Sequence, residues 1–366
     1  MYVAPRPRVE DDPLFAIRLS CGAVVGFLLA IGLQSPLAML PPALIVGLMA
    51  GMRKAFDAKK GIGAPVAMIV MVATLSFIVD LARPMPIVLV MIVWALCVLS
   101  YYVILKTGNP IGMLIAIVAV LMSVMRMDSA QAMVFMRDGF IEASLCALFA
   151  IPILYMIFPP RAKELMVEIY EPAKEGHHGL RALIRGSVLL ILSFWLFSIL
   201  DSSNMMIAVA AVFVLVFPTT KQLYAEAWER TLATLIGGVM ALLILAVFTP
   251  IAHFPVLLIL VFLGGLFIAS RMIDGYYPPM VYQFAFSAMI SLVAGGLSTQ
   301  EPVDATVLRI VLTLVGAVAA AFMTALLEQI LIPSAGTTAE RRTGGAGPPG
   351  KGSSLLRAPN KTYSWR

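Results

Sequence analysis

The chain has 366 residues, of which 61% are hydrophobic and 13% charged, and its mean hydropathy is +0.96. No water-soluble core of this size requires that excess, so the chain reads as a polytopic membrane protein. The net charge of +6 does not argue for a nucleic-acid partner, because the cations lie in short loops and tails between apolar runs, where membrane topology accounts for them.

The opening, Asp11-Asp12-Pro13 ahead of Leu14, lacks the charge order and small-residue cleavage site of a signal peptide, so the first helix is expected to stay. A span of hydrocarbon needs about 20 apolar residues. Twelve runs are predicted: near 14–33, 36–52, 62–82, 85–105, 108–126 and 133–158, then 181–200, 203–218, 228–249, 254–272, 276–297 and 304–332. Cys21, Cys97 and Cys146 fall inside these runs without close spacing, which suggests neither a disulfide framework nor a zinc site.

Lys and Arg cluster after the second run (Arg53, Lys54, Lys59, Lys60), the sixth (Arg161, Lys163, Lys174, Arg181) and the twelfth (Arg341, Arg342, Lys351). The positive-inside rule then puts both termini in the cytoplasm, with Arg83 and Arg126 as the main exceptions. An offset of 167 residues pairs Arg18 with Arg185, Leu33 with Leu200, Ser35 with Ser202, Lys54 with Lys221 and Gly108 with Gly275. The expected fold is therefore an all-α polytopic membrane protein of about twelve transmembrane helices in two parallel six-helix repeats. Its parts are a cytoplasmic N-terminus (1–13), a first repeat (14–158), a cytoplasmic linker (159–180), a second repeat (181–333) and a disordered cytoplasmic tail (334–366). Within the tail, the run from Gly345 to Lys351 imitates a phosphate loop. Gly352 stands where Ser or Thr should bind magnesium, and no strand precedes it, so a nucleotide site is rejected.

Arg230 to Ala241 reads Arg-Thr-Leu-Ala-Thr-Leu-Ile-Gly-Gly-Val-Met-Ala, and a related pattern recurs 79 residues on, from Arg309 to Ala320. Small residues let helix backbones approach and threonine hydroxyls bond across the contact, so the pattern marks a helix packed within a bundle. Its structural signature is Arg230, Thr234, Gly237 and Gly238, with Thr313 and Gly316 in the second copy. At these residues the chain resembles the fusaric acid resistance-like exporters, in which Arg-x-x-x-Thr-(apolar)2-Gly opens a membrane helix, and among them the compact inner-membrane type of about this length. That resemblance implies efflux of aromatic or other weak organic acids across a bacterial inner membrane, driven by the proton gradient. It also implies a periplasmic adaptor of the membrane-fusion type as partner.

An ionisable group at membrane depth costs at least about 2.5 kcal/mol on insertion scales, so it needs a partner, an escape to the interface or a role. Glu142, with Asp138 a turn before it, is the candidate for proton coupling, because a desolvated carboxyl gains proton affinity. The plainer alternative is that Glu142 meets interfacial water or pairs with Arg126 or Arg137. Arg18 and Arg185 open the first span of each half, and Arg137 and Arg309 open the sixth. Two guanidiniums facing a shared axis would fork a carboxylate, although an arginine at a helix end commonly snorkels to headgroups. Asp80 with Arg83, and Arg271 with Asp274, read as local interfacial ion pairs. The prolines at Pro41-Pro42 and Pro278-Pro279 are candidates for breaking helices beside a cavity, or for starting them. His177, His178 and His253 carry no metal constellation around them, no cofactor is implied, and no hydrolase motif or paired acid/base set is present.

Lipid and a small organic anion are thus the expected partners, and nucleic acid is not. Beside the proton-coupled exporter stand a passive organic-anion channel of two six-helix halves, whose pore the same arginines would line, and a non-transporting scaffold for an adaptor.

Overall fold

The computed structural model describes residues 12–35, 37–108, 111–162, 164–165, 178–199 and 220–297, with scattered positions between 307 and 327. Every regular element among them is helical. In chain order these are α1 (Phe15–Gly32), α2 (Leu40–Ala50), a π-helical turn (Lys59–Gly63) running into α3 (Ala64–Ala82), α4 (Pro86–Thr107), α5 (Ile111–Asp128) and α6 (Ala130–Ile157). They continue with α7 (His178–Ile199), α8 (Thr220–Ile251), α9 (Phe254–Asp274) and α10 (Pro279–Leu297). Helices are what such a sequence must form, since a backbone in hydrocarbon has to satisfy its polar groups within its own segment. Eight segments among the described residues are long and apolar enough to cross a membrane. The run at 203–218 and most of that at 304–332 lie outside the described residues.

The second run departs from expectation. Only 11 residues of it, Leu40–Ala50, are helical, which at 1.5 Å per residue reaches about 16 Å, half of a hydrocarbon core of about 30 Å. Its prolines do not break it. Pro41 and Pro42 occupy its first turn and Pro279 is the first residue of α10, positions where the missing N–H would have had no helical acceptor anyway. Other ends are equally local. Ser129 caps α6 by accepting a hydrogen bond from the Ala132 N–H at 2.9 Å, and Gly108 ends α4 in the left-handed region at φ 69°, where a residue without Cβ is favoured.

The side chains form two cores. Helices α3, α4, α5 and α7 surround one, which includes Val72, Val93, Tyr101, Val120 and Val188. Helices α1, α2, α8, α9 and α10 surround the other, which includes Phe27, Ile45, Ala241, Val261 and Phe286. The long α6 serves both, giving Met133, Met136 and Phe140 to the first and Ala147, Ile151 and Leu154 to the second. Two helices pack on partners distant in the chain. α7 packs on α4, and α1 packs on α9.

Those two contacts match. Trp94 Nε1 of α4 donates to Ser187 Oγ of α7 at 2.9 Å, while Ser20 of α1 faces Gly265 of α9. The 167-residue offset carries Ser20 onto Ser187 and Val98, which touches α7 at Gly186, onto Gly265. It also carries α4 onto 253–274, against α9 at 254–274, and α5 onto 278–295, against α10 at 279–297.

Two backbones come close where α8 meets α10. A Cβ on Gly237 would stand 2.4 Å from the Ala285 carbonyl oxygen and 3.0 Å from the Met289 nitrogen, and backbone atoms of a packed helix cannot give way as a side chain can. Gly237→Ala is therefore expected to destabilise by about 1–3 kcal/mol, the usual range for overpacking. Thermal unfolding in detergent checks this, with Gly47→Ala as the control, since nothing lies within 4 Å of a Cβ at Gly47 and alanine favours a helix.

Candidate functional site

Charge is scarce inside this bundle and, apart from Arg181 and Arg185 of α7, the buried charges among the described residues lie in three places. The first is the end of the bundle where α1 begins. Asp12 accepts the Phe15 N–H through its main-chain carbonyl at 3.0 Å, which starts α1 and puts Arg18 one turn in. Both side chains are fully buried. Arg18 Nη2 donates to Asp12 Oδ2, Nη1 donates to the Phe158 carbonyl at 2.9 Å, and the guanidinium lies 4.1 Å over the Tyr155 ring. The other Asp12 oxygen accepts the Arg161 N–H at 3.1 Å, and Tyr155 Oη donates to the Met52 carbonyl at 2.6 Å. One buried ion pair thus fastens the start of α1 to the exits of α2 and α6.

This site was only half visible in the sequence. By sequence Arg18 reads as a substrate ligand, whereas the structure gives it protein partners, and neither Asp12 nor Tyr155 stands out in the sequence as a site residue. The signal was available in one respect, because Asp12 stands six residues before Arg18 at a helix start. Tyr155 lies 137 residues further on and could not be placed by spacing.

Arg185, paired with Arg18 by the offset, is also fully buried. It lies on α7 with Val188 and Leu189 of the first core, while α1 contributes Leu19 and Ala23 to the second. The two arginines thus lie on helices that contribute to different cores. Arg137 is held at 2.8 Å by Asp138, and both are partly exposed. Arg309 lies outside the described residues.

The second place is the middle of α6. Glu142 is 12 residues into a 28-residue helix, about 18 Å along its axis and near the middle of a segment long and apolar enough to cross a membrane. It borders the exposed stripe of Phe135, Leu145 and Phe149, yet its Oε1 is buried and has no hydrogen-bond partner. Neither expected cation reaches it, since Arg126 pairs with Asp80 at 2.5 Å and Arg137 with Asp138. One turn before Glu142, Gly139 packs on Leu37 of the segment leading into α2, where a Cβ would stand 2.8 Å from Leu37 Cδ1.

The third place is the Asp80–Arg126 pair, which joins α3 to α5 across the bundle instead of closing the Asp80–Arg83 turn. Arg271 likewise does not pair with Asp274, and its guanidinium lies 5.5 Å over the Phe267 ring.

The glycine signature behaves as its composition requires. Thr234 is half-buried, and Gly237 and Gly238 are buried, Gly237 against α10. Arg230 is within α8. Thr313 and Gly316 fall outside the described residues. Among the described residues, no group of three His, Cys, Asp or Glu side chains could hold a metal ion.

A helical bundle with eight apolar spans among its described residues and a few buried charges is a multi-pass integral membrane protein. Residues 190–323 match the family model of fusaric acid resistance protein-like proteins. That stretch contains the Arg230-to-Ala241 signature and helices α8, α9 and α10. No curated protein and no solved structure matches the chain.

Proposed function

We propose that the protein is a secondary active exporter of aromatic or other weak organic acids, coupled to protons through Glu142 and built as two parallel six-helix repeats. The family of residues 190–323 supports membrane transport. The single observation that carries the coupling is the buried, unpartnered Glu142 carboxyl oxygen inside a span. A carboxyl that no protein group balances at that depth is best kept by a role in which it gains and loses a proton. The repeat is supported by the 167-residue offset, which superimposes helix limits and the paired α1–α9 and α4–α7 contacts. Arg137 and Arg185 remain the candidates among the described residues for guiding an anion, Arg18 being engaged as a fastener. The family resemblance also supports a bacterial inner-membrane setting and a periplasmic adaptor, and the Lys and Arg distribution supports cytoplasmic termini.

The test is uptake of benzoate into inside-out vesicles carrying the full chain. Export coupled to protons gives accumulation that collapses on adding an uncoupler. Flux that simply follows the benzoate gradient makes the protein a channel, and no flux of any aromatic acid leaves a scaffold.

A further inference from the structure

Arg126, like Arg83, is a cation that the sidedness of the loops does not explain, and unlike Arg83 it is buried. It lies in the last turn of α5, at the end of the bundle remote from Asp12, whereas the basic connections fall at the Asp12 end. It is only 8% exposed, and its Nε and Nη1 are buried without a hydrogen-bond partner. The one arm in use, Nη2, is held by Asp80 Oδ1 at 2.5 Å, and the Asp80 side chain is 53% exposed. A deeply desolvated guanidinium thus has a single half-solvated counter-ion making one contact. Such a pair repays little of the desolvation, and buried donors are rarely left unused.

The shape of what is missing follows from the donors. A carboxylate free of the α3 backbone can span Nη1 and Nη2 as a fork, which Asp80 does not do. It needs no new cavity on the Nη2 side, because an outward swing of Asp80 vacates the space of one carboxylate. Asp138 does not compete for Arg126, since it is bonded to Arg137. Arg83 and Asp128 are exposed.

We propose that Arg126 is a carboxylate receptor at this end of the bundle and that Asp80 is a resident carboxylate which the transported acid displaces. Recapture of the guanidinium by Asp80 then expels the bound acid, so the site turns over without holding its ligand. This rests on the reading of the protein as an organic-acid exporter and adds to it an anion site at Arg126.

The experiment is benzoate binding to the full-length protein in detergent micelles by calorimetry, with thermal unfolding as a parallel readout. Asp80→Asn is expected to tighten binding about fivefold, the weight of one partly exposed ion pair, and to unfold at a higher temperature with benzoate than without. Arg126→Lys weakens binding because an ammonium cannot fork, and the double variant Asp80→Asn with Arg126→Gln loses the gain. Equal affinity in wild type and Asp80→Asn overturns the proposal, as does a double variant that binds as tightly as Asp80→Asn alone. Vesicle uptake separates this site from the exporter. Uncoupler-sensitive uptake with no response of binding to either residue overturns the site and keeps the exporter, whereas Arg126-dependent binding without uptake keeps the receptor and removes the exporter.

Discussion

Arg18→Met unfolds with a stability about 3–5 kcal/mol below that of the unaltered protein, the usual consequence of stripping one partner from a buried ion pair. The size follows from what remains. Asp12 stays fully buried with only the Arg161 N–H on its Oδ1, and the Phe158 carbonyl loses its donor. Methionine keeps the length of the side chain but not the charge that faced the Tyr155 ring. Replacing both partners, Asp12→Leu with Arg18→Met, removes both desolvation penalties, so the double variant lies well above the sum of the two single losses. Denaturant unfolding in detergent measures all four corners of the cycle. Additive losses would mean that the two residues act separately. Added salt leaves the Arg18→Met deficit unchanged, because screening acts on exposed charges and this pair is dry.

Glu142→Gln lowers uncoupler-sensitive benzoate uptake by about tenfold or more, equivalent to about 1.4 kcal/mol or more, while leaving stability the same or slightly higher. The two readouts part because the amide keeps the shape of the carboxyl but cannot take up a proton, and because it removes an ionisable group from a buried position. A purely structural Glu142 would lower both together. Glu142→Asp shortens the side chain yet keeps the titrating group, so it retains part of the coupling. Undiminished uncoupler-sensitive uptake in Glu142→Gln would remove this residue from the mechanism.

Helix limits were legible because the signal is local. The run predicted at 85–105 is α4 at Pro86–Thr107, and the run at 254–272 is α9 at Phe254–Asp274, since apolar length and the flanking Pro and Gly residues act within a single segment. The Gly237 signature was legible for the same reason, as a missing Cβ states that something must come close. The partner it meets, Ala285 on α10, was not. Ion pairs were misassigned when judged by proximity in sequence. Asp80 was matched with Arg83, three residues away, but a residue near a helix end is also near the ends of every neighbouring helix, and Arg126 on α5 is better placed.

Hydrophobic excess, most helix limits among the described residues and the small-residue face at Gly237 were determined by the sequence itself, because each depends on residue type and spacing alone. Tertiary structure decided that α2 stops short of a full span, that α1 and α7 pack with helices distant in the chain, and that Arg18 is fastened to Asp12 while Glu142 has no such partner. The physical reason is that lipid accepts any apolar face equally well. Hydropathy therefore says that a helix lies in the membrane but not which neighbour it touches, and only packing determines whether a buried charge is paired or left to work.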